Sequence, residues 1–421
     1  MPQKPRSYKI KPTDEMITSQ AGLVQFGEML HRLEVPRLLN SIFCSKEEDN
    51  SGSNSILPLL LMYVGGGKRI SDIREIQQEP IYKELQLWNK NYTYDALLKW
   101  LKRKSDLSHL FCKMMTPLLQ KALDSSLSYT LDIDAYFLES EKFSSKIGHK
   151  GKGFYPLASH MNGYLVDLEL RTGNESPAKG LIDAVERISN RLTKEQISIL
   201  RSDSAGYQSE IFNFCEKKGW KFVIAARKDA SVIATLNQIP EEDWINYDEE
   251  HQIASTIHSM EDSLSSFRLV ALRKKKMQMS FMQQEEENSC YRFVLATNTE
   301  HSNQALLRFY RKRGEDSENK IKEMKQGFGM DYLPFSDHFK GNELVMFIQA
   351  LAYNLTLWMK QNIFPKAFQK HQVVTLRWKF FMKAGKLVKH ARNYYFKVKR
   401  DFLDCYKRIK AQIERLHPLL E

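Results

Sequence analysis

Three carboxylates in three settings hold the chemical content of this chain. Asp134 closes an apolar, strand-like run, Ser128-Tyr-Thr-Leu-Asp-Ile-Asp134, and Asp203 closes a second, Ile197-Ser-Ile-Leu-Arg-Ser-Asp203. Glu318 opens a charged, helix-like run that ends at Lys325. Two strand-end aspartates and a helical glutamate can converge on a pair of magnesium ions. Hard divalent cations take oxygen ligands, and two of them clamp both oxygens of an in-line phosphoryl transfer. The chain is basic, with 63 Lys+Arg against 51 Asp+Glu and a net charge of +12. Such a surplus suits a polyanionic partner, so the phosphate is read as that of nucleic acid. Each residue alone has a plainer use. A strand-end aspartate commonly caps a turn, and Glu318 can pair with Lys322 four residues on. Asp132 competes with Asp134, because residues two apart share a strand face.

The elements that must position these groups follow from the pattern. The 421 residues exceed one ordinary core and suit two or three domains. Residues 16–124 read as helical, with apolar helical spacing at Gly22–Leu33, Ser55–Val64 and Tyr94–Lys104, and a loop at Cys44–Asn54. From Leu127 the pattern changes. Strands are predicted at 128–138, 155–160, 163–171, 197–202 and 220–226, with helices near 178–194 and 207–218. That alternation predicts an α/β layer on a mixed sheet, with functional residues at the carboxyl ends of strands. Residues 228–290 read as a β-rich insertion carrying Trp244. A strand at Tyr291–Thr297 returns to the core, and helices follow over about 303–327 and 343–361. From Val373 the chain is strongly basic, with aromatic residues interleaved. The segments are therefore 1–124 (helical, a candidate DNA-binding region), 125–227 and 291–365 (core), 228–290 (insertion) and 366–421 (basic).

Several functions are excluded or disfavoured. The five scattered cysteines have no zinc spacing and no disulfide framework, which suits a reduced, cytosolic setting. The N-terminus lacks a signal-peptide core, and the longest apolar run, Ile56–Val64, is too short to span a membrane. Gly65-Gly-Gly-Lys68 lacks the spacing of a phosphate-binding loop, so no ATP is expected. Gly148-His-Lys-Gly-Lys-Gly153 is a basic, glycine-rich loop. Its Lys150 and Lys152 could lie along DNA phosphates, or the loop could be a simple flexible hairpin.

The run Tyr310-Arg-Lys-Arg-Gly-Glu-Asp-Ser-Glu-Asn-Lys-Ile-Lys-Glu-Met-Lys325 resembles the Tyr-Arg-Glu-Lys signature of DDE transposases of bacterial insertion sequences, group one. Leu131-Asp-Ile-Asp134 and Leu200-Arg-Ser-Asp-Ser-Ala-Gly-Tyr207 resemble that family's two aspartate strands, and weaker landmarks extend the likeness over nearly the whole chain. One spacing departs. The family has three residues between Arg and Glu; here four separate Arg313 from Glu318. On a regular helix that turns the two apart. Either Gly314 sits at a kink or bulge, or Arg311 serves instead. A rival register, Arg311-Glu315-Lys322, loses the tyrosine.

The resemblance implies a ribonuclease H-like fold: a mixed sheet core flanked by helices, with an N-terminal helical region and a β-rich insertion. It implies a transposase that cleaves DNA at the ends of its own insertion sequence and joins 3′-hydroxyls to target DNA. Asp134, Asp203 and Glu318 would be catalytic and hold two Mg²⁺ or Mn²⁺ ions, with Asp132 supporting them. Tyr310, Arg313 and Lys325 would contact DNA, and Trp244 would stack on an extruded base or pack the insertion. Partners would be the terminal inverted repeats, target DNA and a second copy in a homodimer, in the bacterial cytosol at the nucleoid and not at a membrane. The alternatives are a ribonuclease H-like nuclease without strand transfer and a catalytically inactive DNA-binding relict, the latter supported by the Arg313 spacing.

Overall fold

The computed structural model describes residues 7–46, 49–107, 109–192, 196–275 and 291–420. The acidic run Gln283–Asn288 and Cys290 lie outside the described residues. The chain divides into two units, one of Met1–Leu97 with Met359–Glu421, the other of Leu98–Trp358.

The second unit is built on a nine-stranded sheet. Its strands are β1 (Tyr129–Ala135), β2 (Leu157–Met161), β3 (Tyr164–Glu169), β4 (Ile197–Ser202), β5 (Lys221–Ala225), β6 (Ile245–Asn246), β7 (His251–His258), β8 (Phe267–Lys274) and β9 (Tyr291–Thr297). The spatial order is β6-β7-β8-β9-β5-β4-β1-β2-β3. The central strands β1, β4 and β5 run parallel, and all other neighbours are antiparallel. Parallel strands need crossovers, supplied by helices α1 (Leu181–Ser189) and α2 (Ser209–Lys218). The order β3-β2-β1-β4-β5 is the ribonuclease H-like arrangement. Within the 228–290 stretch, read from the sequence as a β-rich insertion, β6, β7 and β8 continue the same sheet through β9. Their inward residues Ile253, Val270 and Leu272 share a core with Leu306, Leu307 and Tyr310.

Three more helices of this unit bear on the site and its support: α3 (Asn303–Arg311), α4 (Asn319–Phe328) and α5 (Phe339–Asn362, in this unit as far as Trp358). α5 is buried around most of its circumference. Its Asn354 accepts from the Leu165 amide at 2.9 Å and donates to the Leu165 carbonyl at 2.9 Å. The outer edge of β3 thus gains polar partners that a buried edge needs.

The first unit is helical around the buried helix Ser51–Gly65. The sequence reading placed Ser51-Gly-Ser in a loop; it is instead that helix's first turn. Gly52 lies so close to the Leu39 carbonyl that an added Cβ would be 2.7 Å away, so the glycine serves tight helix packing rather than flexibility. The helix ends at Gly66, at φ 108°. Its orphan carbonyls, Tyr63 and Val64, accept from the buried Arg377 guanidinium at 2.7 Å each. The basic C-terminal stretch forms a hairpin, Gly385–His390 with Asn393–Val398, and a helix, Arg400–Ile413.

Candidate active site

The parallel pairing of β1 with β4 sets Asp132 opposite Arg201 and Ile133 opposite Ser202. Asp134 and Asp203 come one row later, at the carboxyl ends of neighbouring strands. Asp134 is mostly buried, its side chain 13% exposed. Asp203 is extended, at φ −72° and ψ −169°, and caps the short turn Ser204–Gly206 by accepting from the Ala205 amide at 2.9 Å. The capping role that a strand-end aspartate often plays is therefore present here, and it fixes the carboxylate's orientation.

Glu318 reaches these strands through a local irregularity. Between α3 and α4 the chain makes a π-helical turn, Gly314–Glu318. A π turn closes its hydrogen bonds one residue later than an α turn, so it absorbs one extra residue. Residues five apart then share a face. The Arg313 guanidinium lies 2.8 Å from Asp134 Oδ2 and 3.3 Å from Glu318 Oε1. Arg311, the alternative, instead donates to the Tyr247 hydroxyl at 3.1 Å. Glu315, of the rival register, and Glu318 are both exposed, the Glu318 side chain by 62%; what distinguishes Glu318 is its ion pair with Arg313.

The electrostatics follow from burial and crowding. Burial pushes the Asp134 carboxyl up to about 6, Arg313 opposes the rise, and Asp203 and Glu318 add to it. Asp203 and Glu318 are therefore both near enough to act on Asp134. Burial pushes the Tyr310 hydroxyl up to about 12. Tyr310 is 8% exposed, with its ring 5.1 Å from that of Phe293. Beside them a cleft of about 390 Å³ is lined by Leu272, Arg292, Phe293, Tyr310, Arg311, Arg313, Gly314 and Glu318. Arg292 was not singled out in the sequence. Only the fold brings it to this cleft, from β9.

The remaining candidates are dispersed. Lys325 lies over the Tyr136 ring at 5.9 Å, two residues past Asp134 on that chain segment. Lys150 lies over the Tyr155 ring at 5.5 Å, and Lys152 pairs with Glu141 at 3.3 Å. Lys152 lies in, and Lys150 beside, a small sheet of Leu138–Glu139, Lys146–Gly148 and Gly151–Phe154, with Ile147 exposed on it and Phe143 exposed in the connection before Lys146. Trp244 is 5% exposed, packs against Tyr291, and has the Arg273 guanidinium 4.0 Å from its ring centroid. It is thus packed at the foot of β6, where Arg273 is held by Glu241.

Asp132 is committed elsewhere. Its two oxygens accept from Arg201 Nε at 2.6 Å and Nη2 at 2.8 Å. Asp132 and Arg201 each stand two residues before a candidate site aspartate, and the β1–β4 register sets them opposite each other.

The donor set is all carboxylate, which suits a hard divalent cation. Among the described residues, however, no three His, Cys, Asp or Glu side chains are gathered at metal-binding spacing, and Arg313 occupies Asp134 and Glu318.

The model of the family described as transposase DDE domain group 1 matches the chain over residues 2–418. The chain belongs to that family. No curated protein matches it. A DDE transposase acts on DNA through nuclease and transposition chemistry and generally uses divalent metal ions. Among the described residues of this family member, no helix is long and apolar enough to cross a membrane.

Proposed function

We propose that this DDE transposase cleaves DNA at the ends of its own insertion sequence and transfers the freed 3′-hydroxyls into target DNA, with Asp134, Asp203 and Glu318 as its catalytic carboxylates. The observation that supports this most is the π turn at Gly314–Glu318. It returns Glu318 to Arg313, and through it to Asp134, despite the extra residue. The same turn weighs against an inactive relict, whose support in the sequence was that spacing.

Asp134, Asp203 and Glu318 would hold two Mg²⁺ or Mn²⁺ ions, which when bound activate the attacking oxygen and stabilise the leaving one. The residues of the chain do the rest. The Asp203 cap on Ala205 holds its carboxylate without a mobile rotamer. Arg313, charged and buried, neutralises two carboxylates and sits where a phosphate oxygen would approach them. Arg292 and Arg311 line the cleft and would draw in the DNA backbone, while buried Tyr310 would shape its wall. Lys325, Lys150 and Lys152 would position phosphates beyond it, as phosphate contacts fix register without reading sequence. Holding two ends together calls for a dimer.

The test is end cleavage by purified protein on its native flanking DNA with Mg²⁺. Asp134→Asn, Asp203→Asn and Glu318→Gln should each abolish cleavage and leave DNA affinity within a few-fold. Cleavage by Glu318→Gln together with inactive Glu315→Gln would overturn the assignment.

A further inference from the structure

We propose that Arg201 is a positioning residue that aligns the three carboxylate-bearing segments by clasping Asp132 and the end of α3. The inference rests on the catalytic reading above and adds to it a residue with no part in metal or DNA contact.

Arg201 is 1% exposed, among the largest fully buried side chains among the described residues. Its guanidinium makes a bidentate pair with Asp132 through Nε and Nη2, at 2.6 and 2.8 Å. Its remaining nitrogen, Nη1, donates to the Phe309 carbonyl at 2.6 Å, and the guanidinium lies 4.8 Å from the Phe309 ring centroid. Three segments meet in this one group. Asp132 is on β1, two residues before Asp134. Arg201 is on β4, two residues before Asp203. Phe309 is on α3, immediately before Tyr310 and four residues before Arg313.

The chemistry favours alignment over stability. Apolar side chains of similar volume would hold two strands and a helix about as well, because a buried ion pair loses in desolvation much of what it gains in attraction. What apolar groups cannot supply is direction. A planar fork accepts one approach of a carboxylate and one of a carbonyl. The strand register is fixed already by the β1–β4 ladder, but α3 has no ladder to these strands. The Arg201–Phe309 bond is therefore a direct polar link that sets the height and rotation of α3 over Asp134 and Asp203. The position of the π turn, and hence of Arg313 and Glu318, follows from it.

Two double variants separate alignment from folding. Asp132→Leu with Arg201→Met replaces the pair by apolar groups. Asp132→Arg with Arg201→Asp keeps a pair but takes the fork away from the Phe309 carbonyl. Both are measured as full-length protein on native flanking DNA, for circular dichroism, melting temperature, DNA affinity and single-turnover cleavage. Each should fold, with DNA affinity within about threefold, and its maximal cleavage rate should fall about 100-fold, the loss expected of about 1 Å of misplacement. A folded double variant that cleaves at the wild-type rate overturns the proposal. If neither double variant folds, Arg201→Lys decides: it keeps the charge and loses the fork, and it must lose rate at saturating DNA with affinity unchanged. Wild-type rate in that variant overturns the proposal too. Asp134→Asn runs alongside as control; if it cleaves, the carboxylate assignment has failed rather than the clasp.

Discussion

Asp134→Asn should make the folded protein more stable at pH 7.5 while abolishing its proposed chemistry. Burial raises the Asp134 carboxyl from 3.8 to about 6, even with Arg313 against it. A rise of about 2, at about 1.4 kcal/mol for each, corresponds to about 3 kcal/mol. The sign follows from linkage. A group whose folded value is raised contributes stability fully present below its unfolded value, near 3.8, and lost as pH climbs through about 6. At pH 7.5 the buried charge is thus held at a cost that the neutral amide avoids. Asparagine keeps the shape and an acceptor oxygen for Arg313. At pH 4 the wild-type carboxyl is protonated in the fold, and the two proteins should match. For a unit of this size about 3 kcal/mol corresponds to at most roughly 10 °C in melting temperature. Melting without divalent cations at pH 4 and 7.5 reads this directly. An Asp134→Asn protein that melts at or below wild type at pH 7.5, or shows the same gap at both pH values, would refute the reasoning.

Other outcomes follow from the same geometry. Deleting Gly314 should convert the π turn to regular helix and leave Arg313 and Glu318 four residues apart on one face; the protein should fold, gain up to about 1 kcal/mol by losing a helical glycine, and still cleave. A folded but inactive deletion would mean that the π turn does more than absorb a residue. Trp244→Ala should cost about 3–5 kcal/mol in urea unfolding, because the ring is packed beneath Arg273 and against Tyr291; unchanged stability with weakened DNA binding would favour base stacking instead. Lys379→Gln with Lys383→Gln should flatten the log-log salt dependence of DNA binding by up to about two units. Lys386 and Lys389, already paired with Glu15 and Glu84, should contribute less. An unchanged slope would mark the basic stretch before the hairpin as a solvated face.

The fold class was legible because the sheet strands are short apolar runs separated by turn residues, and β4 occupies the predicted residues 197–202. The family was legible from ordered motifs rather than any one of them. The packing of β6, β7 and β8 onto the core sheet was not, because strand alternation says nothing about which edge a strand joins. Helix Ser51–Gly65 was cut short in the sequence reading because glycine and serine signal loops locally, while Gly52's packing on Leu39 is a tertiary fact. At the site, Asp134 and Asp203 were legible as strand ends. The Arg313–Glu318 contact was legible only as one of two readings, a kink or bulge at Gly314 against use of Arg311, because helical spacing rules do not say where a π turn will form. Arg201 was hidden for another reason: a charged residue in a strand reads as solvent-facing until its partner, 69 residues earlier, is known.

The most direct test of the account is metal-dependent end cleavage by wild type and by Asp134→Asn, Asp203→Asn and Glu318→Gln, on the chain's own flanking DNA. The account predicts cleavage and strand joining with Mg²⁺ or Mn²⁺, none in excess chelator, and none in any of the three folded, DNA-binding variants. Undiminished cleavage in chelator, or in any one of those variants, would contradict it.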